Sequence, residues 1–230
     1  MISSKPSQYT NGCVEFCKLK FKVNPDVLIP RPETELLVDE VLKFISLLPT
    51  TYYQLLTILD VGTGSGNIAI SLASHSSSGN VKIIATDVSE KALKIAKQNA
   101  KFHKVENRIK FIQSNLLSNL RLHPKGVRLI IVTNLPYIPS ARIPYLDSSV
   151  KDFEPHVALD GGEDGFELYR KLFQQIQDKG WKPKLIIGEI DYTHGELAAL
   201  EAQKYFPNAQ IEVKKDLAHL QRILIIRQLL

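Results

Sequence analysis

The chain is short of cysteine, of long apolar runs and of any repeated or low-complexity segment. Among 230 residues only Cys13 and Cys17 carry thiols. Two thiols four residues apart build no disulfide framework, and their alternation with Val14 and Phe16 places them beside a strand. A zinc site takes about four ligands, and no histidine pair at ligand spacing accompanies these two, so no metal is expected. Two reduced thiols suit a reducing compartment. The most apolar stretch, Leu217 to Leu230, is broken by His219, Gln221, Arg222 and Arg227, which is too many polar groups for a membrane span. The start, Met1-Ile2-Ser3-Ser4-Lys5-Pro6, lacks the apolar core of a targeting segment. A monomer in the cytoplasm, with no membrane partner, is the expectation.

What is present is ordinary for a globular domain: 44% hydrophobic and 23% charged residues, which excludes disordered, collagenous and coiled-coil chains. A chain of this length can bury a full core without staples. Lys and Arg number 29 against 24 Asp and Glu, a net charge of +5. That permits proximity to the ribosome or RNA without requiring it.

Three regions are expected: a frayed polar tail over 1–13, a hairpin and helix over 14–50, and the main domain over 51–230. Val14–Phe16 and Leu19–Val23 alternate around Cys17-Lys18, the pattern of a hairpin. Pro32 suits a first helical position, and Leu36, Leu37, Val41, Phe44 and Ile45 follow at helical spacing up to about Pro49. From Thr57 strands and helices alternate. Strands are expected at 57–61, 81–87, 109–112, 127–133, 184–189, 211–213 and 222–226. Helices are expected at 67–74, 89–101, 165–178 and 193–205, with Ser89 as an N-cap. Ser76-Ser77-Ser78-Gly79 reads as a turn. Such alternation predicts an α/β fold, an open and mostly parallel sheet with helices on both faces. Residues 134–164 are irregular and hold Pro136, Pro139, Pro144 and Pro155; a long irregular segment in a compact domain is usually functional.

Two motifs point to adenosine. Asp60-Val61-Gly62-Thr63-Gly64-Ser65-Gly66 lies between a strand and a helix. Its glycines allow a sharp turn and let a ligand lie on the backbone. The spacing is G-x-G-x-G after an acid, not the G-x-G-x-x-G of a pyrophosphate cradle. Asp87 ends the next strand, where a carboxylate can accept bonds from both ribose hydroxyls. Together they resemble the class I S-adenosylmethionine-dependent methyltransferases.

A third motif, Asn134-Leu135-Pro136-Tyr137, follows the fourth strand of that domain and is similar to the (N/D)-P-P-Y element of methyltransferases acting on planar nitrogens. An amide nitrogen is a poor nucleophile because its lone pair is delocalised. A side-chain oxygen on Asn134 and a backbone carbonyl can accept its hydrogens, which holds the nitrogen in line and favours the charge-bearing transition state. Tyr137 can pack over the flat group.

A fourth set is specific to one family. Ile29-Pro30-Arg31-Pro32-Glu33-Thr34-Glu35, then Phe153-Glu154-Pro155, then Ala158-Leu159-Asp160-Gly161-Gly162-Glu163-Asp164-Gly165, and finally Asp216 with Arg222, resemble the ordered motifs of the peptide-chain release-factor glutamine methyltransferases (PrmC/HemK). The resemblance spans roughly residues 14–227. It implies a Rossmann-like, seven-stranded, mostly parallel sheet with one late antiparallel strand, preceded by a β-hairpin and helix. It implies S-adenosylmethionine as cofactor, S-adenosylhomocysteine as product, and no metal. Cofactor contacts would come from Gly62, Thr63, Gly64, Ser65, Gly66, Asp87, Asn115, Leu116 and Asn134, with Arg31, Thr34 and Glu35 flanking the methionine end or bracing that wall. Asn134 and Tyr137 would be catalytic. Asn134, Leu135, Pro136, Tyr137 and Glu154 would take the substrate, a glutamine in the Gly-Gly-Gln loop of a release factor; for Glu154 a buried structural pair with a nearby base is an equal alternative. Three departures stand out: Leu135 replaces the family's first motif proline, Asn115 its adenine-pocket acid, and the chain begins almost at the hairpin, without the usual N-terminal helical domain. Two rival functions remain open at this stage: an adenine N6-methyltransferase on rRNA or DNA, whose relatives also carry Asn-Leu-Pro-Tyr, and a non-catalytic binding module.

Overall fold

Among residues 5–49, 56–76, 81–121 and 128–228, which the computed structural model describes, nine strands and seven α-helices form. Residues 77–79 of the expected turn at Ser76–Gly79, the strand start at Val127, the boundary at 50/51 and the first four residues of the tail lie outside the described residues. In chain order the elements are α1 (Ser7–Asn11), β1 (Cys13–Phe16), β2 (Leu19–Lys22), α2 (Glu35–Ser46), β3 (Leu56–Val61), α3 (Asn67–His75), β4 (Lys82–Asp87), α4 (Glu90–Phe102), β5 (Ile109–Gln113), β6 (Arg128–Thr133), α5 (Ser148–Lys151), α6 (Glu167–Asp178), β7 (Leu185–Glu189), α7 (Gly195–Tyr205), β8 (Ala209–Lys215) and β9 (Gln221–Gln228).

β1 and β2 pair antiparallel, and Cys17 and Lys18 at the turn both have positive φ, which matches the twist of a two-residue hairpin. The main sheet runs β5-β4-β3-β6-β7-β9-β8. Every pairing from β5 through β7 is parallel, whereas β9 is antiparallel to both β7 and β8. The seven-stranded, mostly parallel sheet with one late reversed strand is therefore as expected.

Successive strand residues face opposite sides, and the core divides accordingly. Ile58, Ile130 and Ile187 join one cluster with Leu37 and Val41 of α2 and Ile70 of α3. Their neighbours Leu59, Ile131 and Ile186 join another with Tyr169 and Phe173 of α6 and Ala198 of α7. On α6 the buried set is Tyr169, Leu172, Phe173 and Ile176, the i, i+3, i+4, i+7 stripe of a helix lying on a sheet. Helices thus cover both faces, and parallel strands buried on both sides read as continuous apolar runs.

The tail needs correcting. From Ser7 it is ordered as α1, with Tyr9 buried. The Tyr9 hydroxyl donates to the Val27 carbonyl at 2.5 Å, and the ring packs among Val23, Val27, Ile29, Ala92 and Ile95. An aromatic ring with its polar tip satisfied is a good anchor, and it seats the segment on α4. Two helix starts also move: α6 begins after Gly165, whose φ of 77° is not helical, and α7 begins after Thr193, whose N–H and hydroxyl both donate to Asp191.

Candidate active site

The chain order β3, β4, β5 and then β6 on the other flank of β3 makes a switch point, and crevices for ligands open there at the carboxyl ends of the strands. A cavity of about 300 Å³ lies at that place. It is lined by Gly62–Ser65 after β3, Asp87–Ser89 after β4, Ser114–Leu116 after β5 and Asn134–Pro136 after β6, with Arg31 and Thr34 closing one wall.

Each loop is shaped by specific bonds. The Gly62 and Thr63 amides both donate to the Thr86 carbonyl, at 2.9 and 2.8 Å. Gly62 and Gly64 have φ of 76° and 53°, conformations open to glycine at no steric cost. A Cβ on Gly64 would meet nothing within 4 Å; it would stand in the cavity, where a ligand can instead touch backbone. Asp60 holds the loop from below. Its Oδ2 accepts from the Thr63 hydroxyl at 2.6 Å and the Ala69 amide at 3.1 Å. Burial pushes its carboxyl up to about 7. Gly66, expected among the cofactor contacts, does not line the cavity. A Cβ there would come within 2.8 Å of Ile70 and 3.1 Å of Ala96, so this glycine allows α3 and α4 to pack closely.

Asp87 presents a carboxylate with spare capacity. Oδ2 accepts from the Gly64 amide and Oδ1 from the Ser89 amide, both at 2.8 Å. Each oxygen has a second lone pair. Burial raises the carboxyl above its ordinary value, against the effect of those amides. Two such oxygens suit the two hydroxyls of a ribose, and Asn115 offers an amide further along the same wall. The donors and acceptors fit an adenosine carrying an amino-acid tail.

At the other end the side chains are tied together. Asn134 Nδ2 donates to Thr34 Oγ1 and to Glu189 Oε2, each at 3.1 Å. The Thr34 hydroxyl donates to the same Oε2 at 2.6 Å, and the Tyr137 hydroxyl donates to Oε1 at 2.9 Å. Glu189 is buried at the end of β7. Burial raises its carboxyl, while Thr34, Tyr137 and the Arg222 guanidinium oppose the rise. Arg222 Nε donates to Asp216 at 3.1 Å, so the late Asp and Arg of the motif set pair with each other behind the site. Tyr137 has its hydroxyl pushed up by burial and by Glu189, and it does not line the cavity; its hydroxyl anchors the motif. Leu135 is buried against Gly62.

The glycine-rich stretch after Glu154 has a packing explanation. Ile138 bridges to Asp160, which folds residues 158–165 back on the Asn-Leu-Pro-Tyr segment. A Cβ on Gly161 would lie 2.8 Å from both the Pro136 carbonyl and the Tyr137 Cα. Backbone approaches backbone there, so only glycine fits.

Glu154, expected at the substrate or in a buried pair, does not line the cavity: its Oε1 pairs with Arg31 and its Oε2 accepts from the Ile29 amide at 3.2 Å. Its side chain is 1% exposed, and these contacts are those of the structural alternative, fixing the segment that carries Arg31 and Thr34. Glu189 and Asp60 had no role assigned from the sequence. The available signal for Glu189 was an acid ending a buried strand next to the strand that delivers Asn134.

A family profile described as a methyltransferase domain matches residues 54–154. Among curated proteins, the release factor glutamine methyltransferase of Clostridium acetobutylicum is 37% identical over 224 residues, 96% of this chain and 74% of that protein. The protein of the same name from Bacillus cereus is 36% identical over 219 residues, 94% and 74% of the two chains. Among solved structures, the ribosomal protein L11 methylase of Lactobacillus delbrueckii subsp. bulgaricus has a TM-score of 0.59 at 19% identity, over 90% of this chain and 84% of that one. The hMettl16 catalytic domain in complex with the MAT2A 3′UTR hairpin 6 has a TM-score of 0.69 at 14% identity, over 91% and 75%. At such identities the structural likenesses speak for the fold alone.

Sheet order, glycine loop and neighbours define a class I, Rossmann-like methyltransferase. Within that class, the identity shared with curated relatives over nearly the whole chain is decisive. The chain belongs to the release factor glutamine methyltransferase family.

Proposed function

We propose that this protein methylates the side-chain nitrogen of the glutamine in the Gly-Gly-Gln loop of a peptide-chain release factor, working in the cytoplasm as a monomer. The observation that carries the reading is the setting of Asn134. Its NH₂ group is taken up by Thr34 and Glu189, which leaves Oδ1 as the free end of an amide that lines the cavity.

S-adenosylmethionine, when bound, supplies a methyl group made electrophilic by its sulfonium. Asp87 would hold the ribose, the 62–65 backbone the amino-acid tail, Asn115 and Leu116 the adenine, and Arg31 and Thr34 the methionine end. Asn134 Oδ1 would accept one hydrogen of the acceptor NH₂, and the Leu135 carbonyl would accept the other. Two acceptors draw electron density towards nitrogen and hold it with its lone pair aimed into the cavity. They also stabilise the positive charge that develops there, worth a few kcal/mol for one well-placed partner. Once the nitrogen is cationic its proton is acidic and can leave to water, so no general base is required.

The rival acceptor, an adenine amino group, would use the same two oxygens. The relatives matching over nearly the full chain carry the release-factor name, and the Arg31–Thr34 wall belongs to the motif set of the glutamine enzymes. Transfer of tritiated methyl to purified release factor, set beside rRNA, decides between them. Label is expected in the release factor, and Asn134→Ala should abolish it while cofactor affinity stays nearly unchanged. Label in RNA alone would overturn the assignment.

A further inference from the structure

We propose that Glu189 is the positioning residue of this site: it fixes which way round the Asn134 amide lies. The inference rests on the glutamine-methylation reading above. The two ends of an asparagine amide are nearly identical in shape and opposite in hydrogen-bonding sense. A freely turning Asn134 would present NH₂ to the acceptor NH₂ half the time, and two donors facing each other cannot bond. Only the orientation with Oδ1 towards the cavity is productive.

Glu189 enforces that orientation from outside the cavity, whose lining it does not join. Its Oε2 accepts from Asn134 Nδ2 at 3.1 Å. The Thr34 hydroxyl donates its hydrogen to the same oxygen at 2.6 Å, so its own lone pairs face Nδ2, also at 3.1 Å. The two acceptors lie side by side and share the Nδ2 hydrogen that points at them, so nitrogen and not oxygen belongs on that side of the amide. Turning the amide over would set Oδ1 against a buried carboxylate, with no hydrogen between them. Glu189 itself cannot swing away: its other oxygen takes the Tyr137 hydroxyl, and its carbonyl takes the Tyr169 hydroxyl. Gly188 beside it leaves room for that ring, since a Cβ there would come within 2.4 Å of the Tyr169 hydroxyl. Arg222 supplies a nearby positive charge that opposes the upward push of burial on this carboxyl. One acid thus ties together the entry to α2, the end of β6 and the motif tyrosine.

The variant Glu189→Gln keeps the shape and removes one acceptor. Its kcat for methyl transfer to release factor is expected to fall about ten- to a hundred-fold, with the release-factor KM within about threefold and cofactor affinity by calorimetry unchanged. Asn134→Asp sets two carboxylates face to face and should be nearly inactive. In the double variant Asn134→Asp/Glu189→Gln the amide at 189 can donate to the new carboxylate, and activity should recover at least about tenfold over Asn134→Asp alone; a merely structural Glu189 predicts no such recovery. A readout independent of turnover is the Asn134 side-chain NH₂ resonance in ¹⁵N-labelled protein without cofactor. One protected, strongly shifted hydrogen is expected, collapsing towards free-amide behaviour in Glu189→Gln. Unaltered kcat in Glu189→Gln would overturn the proposal, and so would no recovery in the double variant. Should Glu189→Gln not fold, an Asn134 NH₂ in the unsubstituted protein that exchanges like a free amide would overturn it as well. If the unsubstituted protein transfers no methyl to release factor, the functional reading fails, and the resonance still decides the role of Glu189.

Discussion

Replacing Arg31 by leucine tests whether Glu154 is a brace or a substrate contact. The Arg31 side chain is 33% exposed and that of Glu154 is 1% exposed, so the substitution leaves a buried carboxylate without its cation. Breaking a buried pair from one side costs about 3–5 kcal/mol. Arg31 reaches water and the Ile29 amide still donates to Glu154, which sets the expectation near the lower end, about 3 kcal/mol. For a chain of this size that is a fall in melting temperature of roughly 6–12 °C. Thermal unfolding followed by circular dichroism measures it. Glu154→Gln keeps an acceptor for Ile29 and removes the buried charge, at a cost of about 1 kcal/mol, and adding it to Arg31→Leu should recover most of the loss. A melting temperature for Arg31→Leu within about 1 °C of the parent would refute the reasoning. A Glu154→Gln protein of normal stability with a many-fold higher release-factor KM would restore Glu154 to the substrate site.

Two further outcomes are expected. Asp87→Ala should weaken cofactor binding by about 1.5–3 kcal/mol, the scale of a hydrogen bond to a charged group, with the release-factor KM little changed; equal affinity in calorimetry contradicts the ribose assignment. Asp60 is pushed up to about 7 by burial, so it stabilises least where it must ionise. Relative to Asp60→Asn, the parent should lose about 4 kcal/mol of unfolding free energy as pH rises from 4 to 8; a pH-independent difference in urea denaturation would show that Asp60 does not titrate across that range.

The parts of the site written in consecutive residues were readable in the sequence. The glycine loop, Asp87 and Asn-Leu-Pro-Tyr each sit at a strand end, and strand periodicity together with local spacing marks such places. What escaped is what only packing assembles. Glu189 meets Asn134 across 55 residues and Thr34 across 155, and no local pattern announces either meeting. Tyr9 sits in a polar stretch, and its burial depends on Val27 and α4. Glu154 lies beside the mouth of the site in sequence, but its carboxylate turns inward to Arg31 and Ile29. Gly66 belongs to a loop expected to touch the cofactor and Gly161 to a glycine-rich motif beside the site, yet the space each leaves is filled by neighbouring protein.

The sheet cannot be assembled in the order in which its strands are written. β8 reaches it only through β9, which follows β8 in the chain and enters between β8 and β7. During synthesis β7, with Glu189 at its end, is therefore an open edge until β9 emerges, and β8 waits without a partner. β9 also carries Arg222, whose charge favours the ionised state of that glutamate. A strand none of whose residues lines the cavity thus closes the sheet beside the acid that holds the active-site amide.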